Sequence, residues 1–280
     1  MLLIRLVASP TLAPTASDAL HRRLAADGKL LACVSDADVN ATLISVKTAD
    51  DDLQATIAVM AETIGATQAV GRAFRFELQH PDAAKIVSDE SLRAVAVELH
   101  GALRASVHIA RRAVPAGRWT TARPMGWGAD GLTLGDNAPT LPFGGSESSG
   151  VAIEVGGPTV IAKAKLTAGV PSSHMKGIAA AAGGPESGLT EVGAYPIAIL
   201  RDGNAVFVLE HSDVKRSPLH RALAILEIEA QRFGARLGPG SLLSDAPLDT
   251  FLDVLAHHMG LEVARSQVIE SYLARSALSQ

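Results

Sequence analysis

Between Val114 and Gly150 the sequence stops reading as strands and helices, and this break constrains the fold more than any other feature. The segment holds Pro115, Pro124, Pro139 and Pro142, the run Gly144-Gly145-Ser146-Glu147-Ser148-Ser149-Gly150, and both tryptophans, Trp119 and Trp127. A connection this long is a linker or a functional loop, and the two tryptophans predict that it packs against something. On either side, strand and helix signals alternate. The chain therefore divides into an N-terminal part, 1–113, a connection, 114–150, and a C-terminal part, 151–280. The 280 residues suffice for two subdomains of ordinary size.

In the first part, Leu2–Val7 reads as a strand and Ser17–Ala26 as a helix, with Thr15 or Ser17 as N-cap. Lys29–Val34 and Thr42–Val46 read as strands around the turn Asp36-Ala37-Asp38-Val39-Asn40. Asp50–Gly65 carries Leu53, Ile57, Met60, Ala61 and Ile64 at helical spacing, and Gly65 is expected to close it. Ala69–Leu78 is an expected strand, Asp89–Leu103 a helix capped by Ser88, and Val107–Ala110 a short strand. This order belongs to an α+β chain of the split βαβ, ferredoxin-like kind.

The second part starts over. Val151–Val155 and Thr159–Leu166 read as paired strands around Gly156-Gly157-Pro158, and Ser172–Ala182 as a helix. Glu191–Leu200 and Ala205–Leu209 flank Asp202-Gly203-Asn204, a hairpin signal. Pro218–Gly234 reads as a helix with Ser217 at the N-cap and Pro218 at its first position. Leu248–Met259 and Ser266–Leu278 are expected helices. The halves have similar element content, so an internal repeat is expected without a fixed sequence period.

Composition narrows the function classes. With 48% hydrophobic and 19% charged residues the chain is globular. A net charge of −4 and the absence of Lys/Arg runs argue against nucleic acid. No segment reaches the roughly 18 apolar residues that a membrane span needs, and Leu2–Ala8 is too short for a signal peptide, so a cytoplasmic protein is expected. The single cysteine, Cys33, lies in an apolar run and excludes an internal disulfide. None of the nine histidines has metal-ligand spacing; adjacent His257 and His258 project about 100° apart on a helix. His220 and His211 read as surface or capping residues. No metal site is expected. Gly144-Gly145 and Gly183-Gly184 match no nucleotide-binding pattern. His80-Pro81 stands at the end of an expected strand, where proline stiffens the exit, and a histidine held there is suited to moving protons near neutral pH.

Several segments together resemble the formiminotransferase family. Arg216-Ser217-Pro218-Leu219-His220, Ala230-Gln231-Arg232-Phe233-Gly234 and Gly240-Ser241-Leu242-Leu243-Ser244-Asp245-Ala246-Pro247-Leu248 are similar to that family's C-terminal end. Ser35–Ile44 is similar to its SSDPDHNRTVI-type hairpin, and His80-Pro81 to its HPR segment. The resemblance implies two ferredoxin-like βαββαβ subdomains, open α/β sandwiches with a groove between them, assembled as a homodimer. It also implies transfer of a formimino group from formiminoglutamate to tetrahydrofolate, the co-substrate. His80 would be the catalytic acid/base. Asp36, Asp38 and Asn40 would shape the site, and Lys163 and Lys165, on the strand matching the family's YNVNL segment, would face an anionic ligand. Ala41 and Asp82 stand where the family has arginines, and Val34 where it has the acid that orients the histidine. These departures open the alternative of a non-catalytic ligand-binding or assembly protein. A transferase for an unrelated acyl or amidino donor is a third reading.

Overall fold

The structure is a computed structural model that describes residues 1–66, 73–80, 87–111, 125–128, 131–134, 146–183, 187, 189–214 and 216–259. The elements run β1 (Leu2–Ser9), α1 (Pro14–Ala26), β2 (Leu30–Asp36), β3 (Ala41–Thr48), α2 (Leu53–Gly65), β4 (Ala73–Gln79), α3 (Asp89–Leu103) and β5 (Ala105–Arg111). A small hairpin, β6 (Met125–Gly128) and β7 (Gly131–Leu134), follows. The chain continues through β8 (Ser146–Gly156), β9 (Val160–Leu166), α4 (Met175–Ala182), β10 (Val192–Ile199), β11 (Ala205–His211), α5 (Leu219–Gln231), β12 (Ser241–Leu242) and α6 (Leu248–Met259). The fold is mixed α+β. Among the described residues no helix is long and apolar enough to cross a membrane. The expected helix Ser266–Leu278 lies outside the described residues.

Two sheets organise the molecule. The first has the order β2-β3-β1-β4-β8-β5; the second has β10-β11-β9-β12. In the first sheet β1 runs antiparallel to β3 and β4, and β2 antiparallel to β3. In the second, β11 runs antiparallel to β9 and β10, and β12 antiparallel to β9. Strands β1–β4 and strands β9–β12 thus follow the same order, 2-3-1-4, and the first sheet extends beyond β4 with β8 and β5.

One expectation is corrected. Val151–Val155 and Thr159–Leu166 do not pair with each other. Strand β8 is parallel to both β4 and β5 and completes the first sheet, while β9 founds the second. The cause is burial: Val151, Ile153 and Val155 point into the core beneath α2 and α3. Gly156-Gly157-Pro158 is thus the crossing between lobes rather than a hairpin turn, and a division at residue 150 falls inside β8. Asp202-Gly203-Asn204 does turn a hairpin, with Gly203 at φ +81° joining β10 to β11.

Side chains alternate across each strand, which gives three apolar layers. Ile4, Leu6, Ile44, Val46, Phe76 and Leu78 face α1, α2 and α3. Ala162, Ala164, Phe207 and Leu209 face α4 and α5. Val7, Leu43, Ala152, Ile161, Val206, Val208 and Trp127 fill the space between the sheets. The order of layers is helices, sheet, sheet, helices. Helix ends follow local chemistry. The Ser88 hydroxyl accepts from the Ser91 amide at 3.1 Å, as expected for a cap. Helix α1 instead begins with Pro14 after Ala13, and Pro218 is itself the N-cap of α5.

Gly65 ends α2, but its role is close approach: a Cβ there would sit 2.8 Å from the Ala102 carbonyl oxygen of α3. Gly65→Ala gains up to ~1 kcal/mol of helix propensity yet pries α2 from α3, so a net loss of about 1–3 kcal/mol is expected. A urea midpoint equal to or above wild type refutes this assignment.

Candidate functional site

The inner faces of the two sheets carry charge that cannot reach solvent. Within β1 and β4, Arg5, Arg75, Glu77 and Gln79 occupy the alternate positions to the core residues and are each at most 3% exposed. Arg5 Nη1 donates to Glu77 Oε2 at 2.8 Å and to Thr159 Oγ1 at 2.8 Å. Its Nη2 donates to Asp245 Oδ1 at 3.0 Å. Arg75 Nη2 lies 2.8 Å from Glu77 Oε1 and 2.5 Å from Glu210 Oε1. Trp127 Nε1 also donates to Glu210 Oε1, at 2.5 Å, and its ring lies 5.7 Å from the Arg75 guanidinium carbon. Glu154 Oε2 stands 3.8 Å from Arg75 Nε. The expectation that a tryptophan of the connection packs against the body holds for Trp127; Trp119 lies outside the described residues. Ionised groups with so little water persist only when paired. Arg75 ties the first sheet to Glu210 of the second, and Arg5 ties it to Asp245, which follows β12.

Nearer solvent, four sequence candidates meet. Lys163 Nζ, 10% exposed, bonds Asp36 Oδ2 and, at 2.9 Å, Asp38 Oδ2. Lys165 Nζ lies 2.7 Å from the same Asp38 oxygen. The hydrogen bond from Lys165 and then that from Lys163 hold the Asp38 carboxyl below the usual carboxylate range. Burial pulls the Lys163 ammonium down, but its bonds with Asp36 and Asp38 outweigh that and leave it raised. Asp36 is fixed from the other side: its Oδ1 accepts the amides of Asp38 and Val39 at 3.0 and 3.2 Å. Asn40 shapes the same turn. It adopts φ +49°, its carbonyl accepts from the Ser9 hydroxyl at 2.9 Å, and its side-chain oxygen accepts the Thr11 amide at 3.1 Å. Asparagine tolerates this left-handed conformation better than most residues.

His80 does not join them. It follows the last residue of β4, and the register sets Gln79 opposite Leu3 and Ala73 opposite Ser9. The Asp36–Asn40 turn is at the Ser9 end, so the length of β4, about 20 Å, separates the histidine from the lysine pair. His80 is largely buried; its amide donates to the Gly156 carbonyl at 3.1 Å, and its Nε2 lies 4.0 Å from Asp50 Oδ2. Pro81 and Asp82 lie outside the described residues.

Of the two other histidines read as surface or capping residues, His211 is buried and His220 half-buried. His211 is fully buried on the helix side of β11, and its ring Nδ1 lies 3.1 Å from the Ser217 carbonyl, to which Nδ1–H donates. Burial pushes its pKa down to about 4. His220 stacks on His257 across α5 and α6 with ring centroids 4.2 Å apart. Among the described residues no three His, Cys, Asp or Glu side chains gather as metal ligands. A recess of about 250 Å³ beside β9 and β12 has Ala162, Lys163, Ala164, Leu219, Leu223 and Leu242 in its lining.

No protein-family model matches this sequence, and no curated protein matches it. The site is therefore read from its own residues. Of the residues singled out in the sequence, the structure brings Asp36, Asp38, Lys163 and Lys165 together; Arg5, Arg75, Glu77, Glu154, Glu210 and Asp245, which form the buried network, were not among them. The missed signal was present: β1, β4, β8 and β11 each place a charge where alternation demands an inward-facing residue.

Proposed function

We propose that this chain is a formiminotransferase-like protein of two ferredoxin-like lobes that binds a small ligand along the rim between them and does not use His80 as the acid/base of a transfer reaction. The observation that carries the reading is the separation of His80 from the lysine pair. A proton shuttle acts on a group within hydrogen-bond reach or one water away; about 20 Å is many times that. Formiminotransferase likeness is supported by the repeated βαββαβ order and by the convergence of Asp36, Asp38, Lys163 and Lys165 from opposite lobes. The ligand class is anionic at the lysine end. Lys165 and Asp38, about a quarter exposed, are the members open to exchange. Folates, and tetrahydrofolate among them, are the first ligands to try, and a homodimer in the cytoplasm is the setting the family resemblance proposes.

A second reading, a one-carbon transferase working at the far end of β4, draws on the His80–Asp50 approach, since a carboxylate beside an imidazole orients the ring.

Calorimetric titration with folinic acid and formiminoglutamate separates the readings. Micromolar folinic acid binding that weakens about tenfold in Lys165→Met, with no turnover in wild type, supports the binding protein. Turnover abolished by His80→Ala, with folding intact, replaces it with the transferase. Absence of heat with either ligand sinks both.

A further inference from the structure

The lysine pair already has an anion, and the chain itself supplies it. Lys163 Nζ bonds Asp36 Oδ2 and, at 2.9 Å, Asp38 Oδ2, and Lys165 Nζ lies 2.7 Å from the same Asp38 oxygen. An external anion reaching these lysines meets an occupied position. The turn that carries both acids is held from its other side. Ser9, buried at the end of β1, stands between two elements: its hydroxyl donates to the Asn40 carbonyl at 2.9 Å and accepts the Leu132 amide of β7 at 3.0 Å. One hydroxyl thus joins the β6–β7 hairpin to the turn, a use that takes both its proton and a lone pair. Asn40 adds a second tie, since its side-chain oxygen accepts the Thr11 amide at 3.1 Å. Val39, next to Asp38, is fully buried in the apolar cluster that also contains Met125, Trp127 and Leu132.

We propose that the Asp36–Asn40 turn is an autoinhibitory contact: its carboxylates occupy the lysine pair as an internal anion, and the β6–β7 hairpin holds them there through Ser9 and Val39. This rests on the ligand-binding reading above and adds a control to it. The apparent affinity of an external anion is then the intrinsic one reduced by the fraction of molecules in which the turn has withdrawn. Whatever loosens the turn raises that fraction and tightens binding. A turn that merely scaffolds the site has the opposite sign, because loosening it weakens binding. The two acids differ in how firmly they are held. Asp36 is 14% exposed and its Oδ1 accepts the amides of Asp38 and Val39, whereas Asp38 is 26% exposed. Asp38 is therefore the carboxylate to be displaced first, and Lys165, which it pairs, is the first lysine an incoming anion gains.

The probe is inorganic pyrophosphate, titrated by calorimetry into the full chain at fixed ionic strength. Two variants loosen the turn without changing charge. Ser9→Ala removes the shared hydroxyl. Asn40→Gly keeps the φ of +49° accessible and removes the tie to Thr11. Thermal melts identify the folded variants, and each folded one is expected to bind pyrophosphate at least about fivefold more tightly than wild type. Asp38→Asn, which removes the internal anion, is expected to bind more tightly still. Adding Lys165→Met to Asn40→Gly is expected to cancel the gain, which assigns it to the lysine pair. Equal or weaker binding in the folded charge-neutral variants overturns the proposal and makes the turn a scaffold. A gain confined to Asp38→Asn overturns it too, since removing a negative charge favours any anion nearby. Folinic acid binding that depends on Lys165 in wild type, with no pyrophosphate gain in Ser9→Ala or Asn40→Gly, overturns this inference alone. No binding of either probe to wild type or to any variant overturns the ligand-binding reading with it.

Discussion

Arg75→Ala is expected to lower the unfolding free energy by about 3–5 kcal/mol, the cost of stranding buried carboxylates once their cation is removed. Arg75 has no solvent exposure and stands within 3 Å of Glu77 and Glu210 and 3.8 Å from Glu154. Removing it leaves Glu77 and Glu210 at most 4% exposed without this counter-charge. A typical domain has only about 5–15 kcal/mol in total, so the urea midpoint should fall far below wild type. The desolvation argument makes a second, sharper forecast. Arg75→Met combined with Glu210→Gln removes charge from both lobes and should recover most of the loss, because the pair contributes less net stability than its disruption costs. A single-variant loss under about 1 kcal/mol would mean that the interlayer charges are solvated and that the lobes are not joined through them. Both sheets should also unfold in one transition, since Arg75 and Glu210 belong to different sheets and share one dry layer.

Much of the fold was legible because local rules and tertiary packing agree. Leu53, Ile57, Met60, Ala61 and Ile64 form the buried stripe of α2 that their spacing predicts. Asp202-Gly203-Asn204 turns the hairpin that its composition predicts. What was not legible depended on partners far along the chain. Nothing within Val151–Val155 says that its neighbours are β4 and β5 rather than the adjacent Thr159–Leu166, because a short apolar strand suits either pairing. Gly65 reads as a helix stop from sequence alone, yet its tight contact is with Ala102 of the next helix. The site shows the same division. Lys163 and Asp38 were singled out separately, but their ion pair spans 125 positions and emerges only when the second sheet covers the first. His80 and the lysines were grouped because motif order, unlike register, carries no distance. Arg5 lies within the segment read as the strand Leu2–Val7, and a charge at an alternating position of a central strand is itself a sign of an interlayer network.

His211 is expected to make the protein lose stability between about pH 6.5 and pH 4, before most carboxylates titrate. Its folded pKa is about 4, against about 6.5 for an unfolded histidine. A depressed histidine is bound in its neutral form, so its contribution is complete above the unfolded value and is lost as pH falls toward the folded one. In that window the unfolded chain takes up a proton that the folded chain refuses, and stability rises with pH. The difference corresponds to about 3 kcal/mol at full development. Asp38 works in the same sense but lower: its pKa is depressed by Lys165 and Lys163, so its contribution stands above the ordinary carboxylate value near 3.9 and fades only below it. The two groups can be separated by subtraction. His211→Asn retains an N–H able to reach the Ser217 carbonyl but has no ionisable ring, and urea titrations of wild type and variant at intervals from pH 7.5 to about 4.5 give the histidine's share directly. The wild-type curve should drop more steeply than that of His211→Asn, with the gap opening below about pH 6.5. Parallel curves through this range would show that the His211 ring accepts its proton in the folded state, and that the space beneath α5 admits water or a counter-charge to receive it.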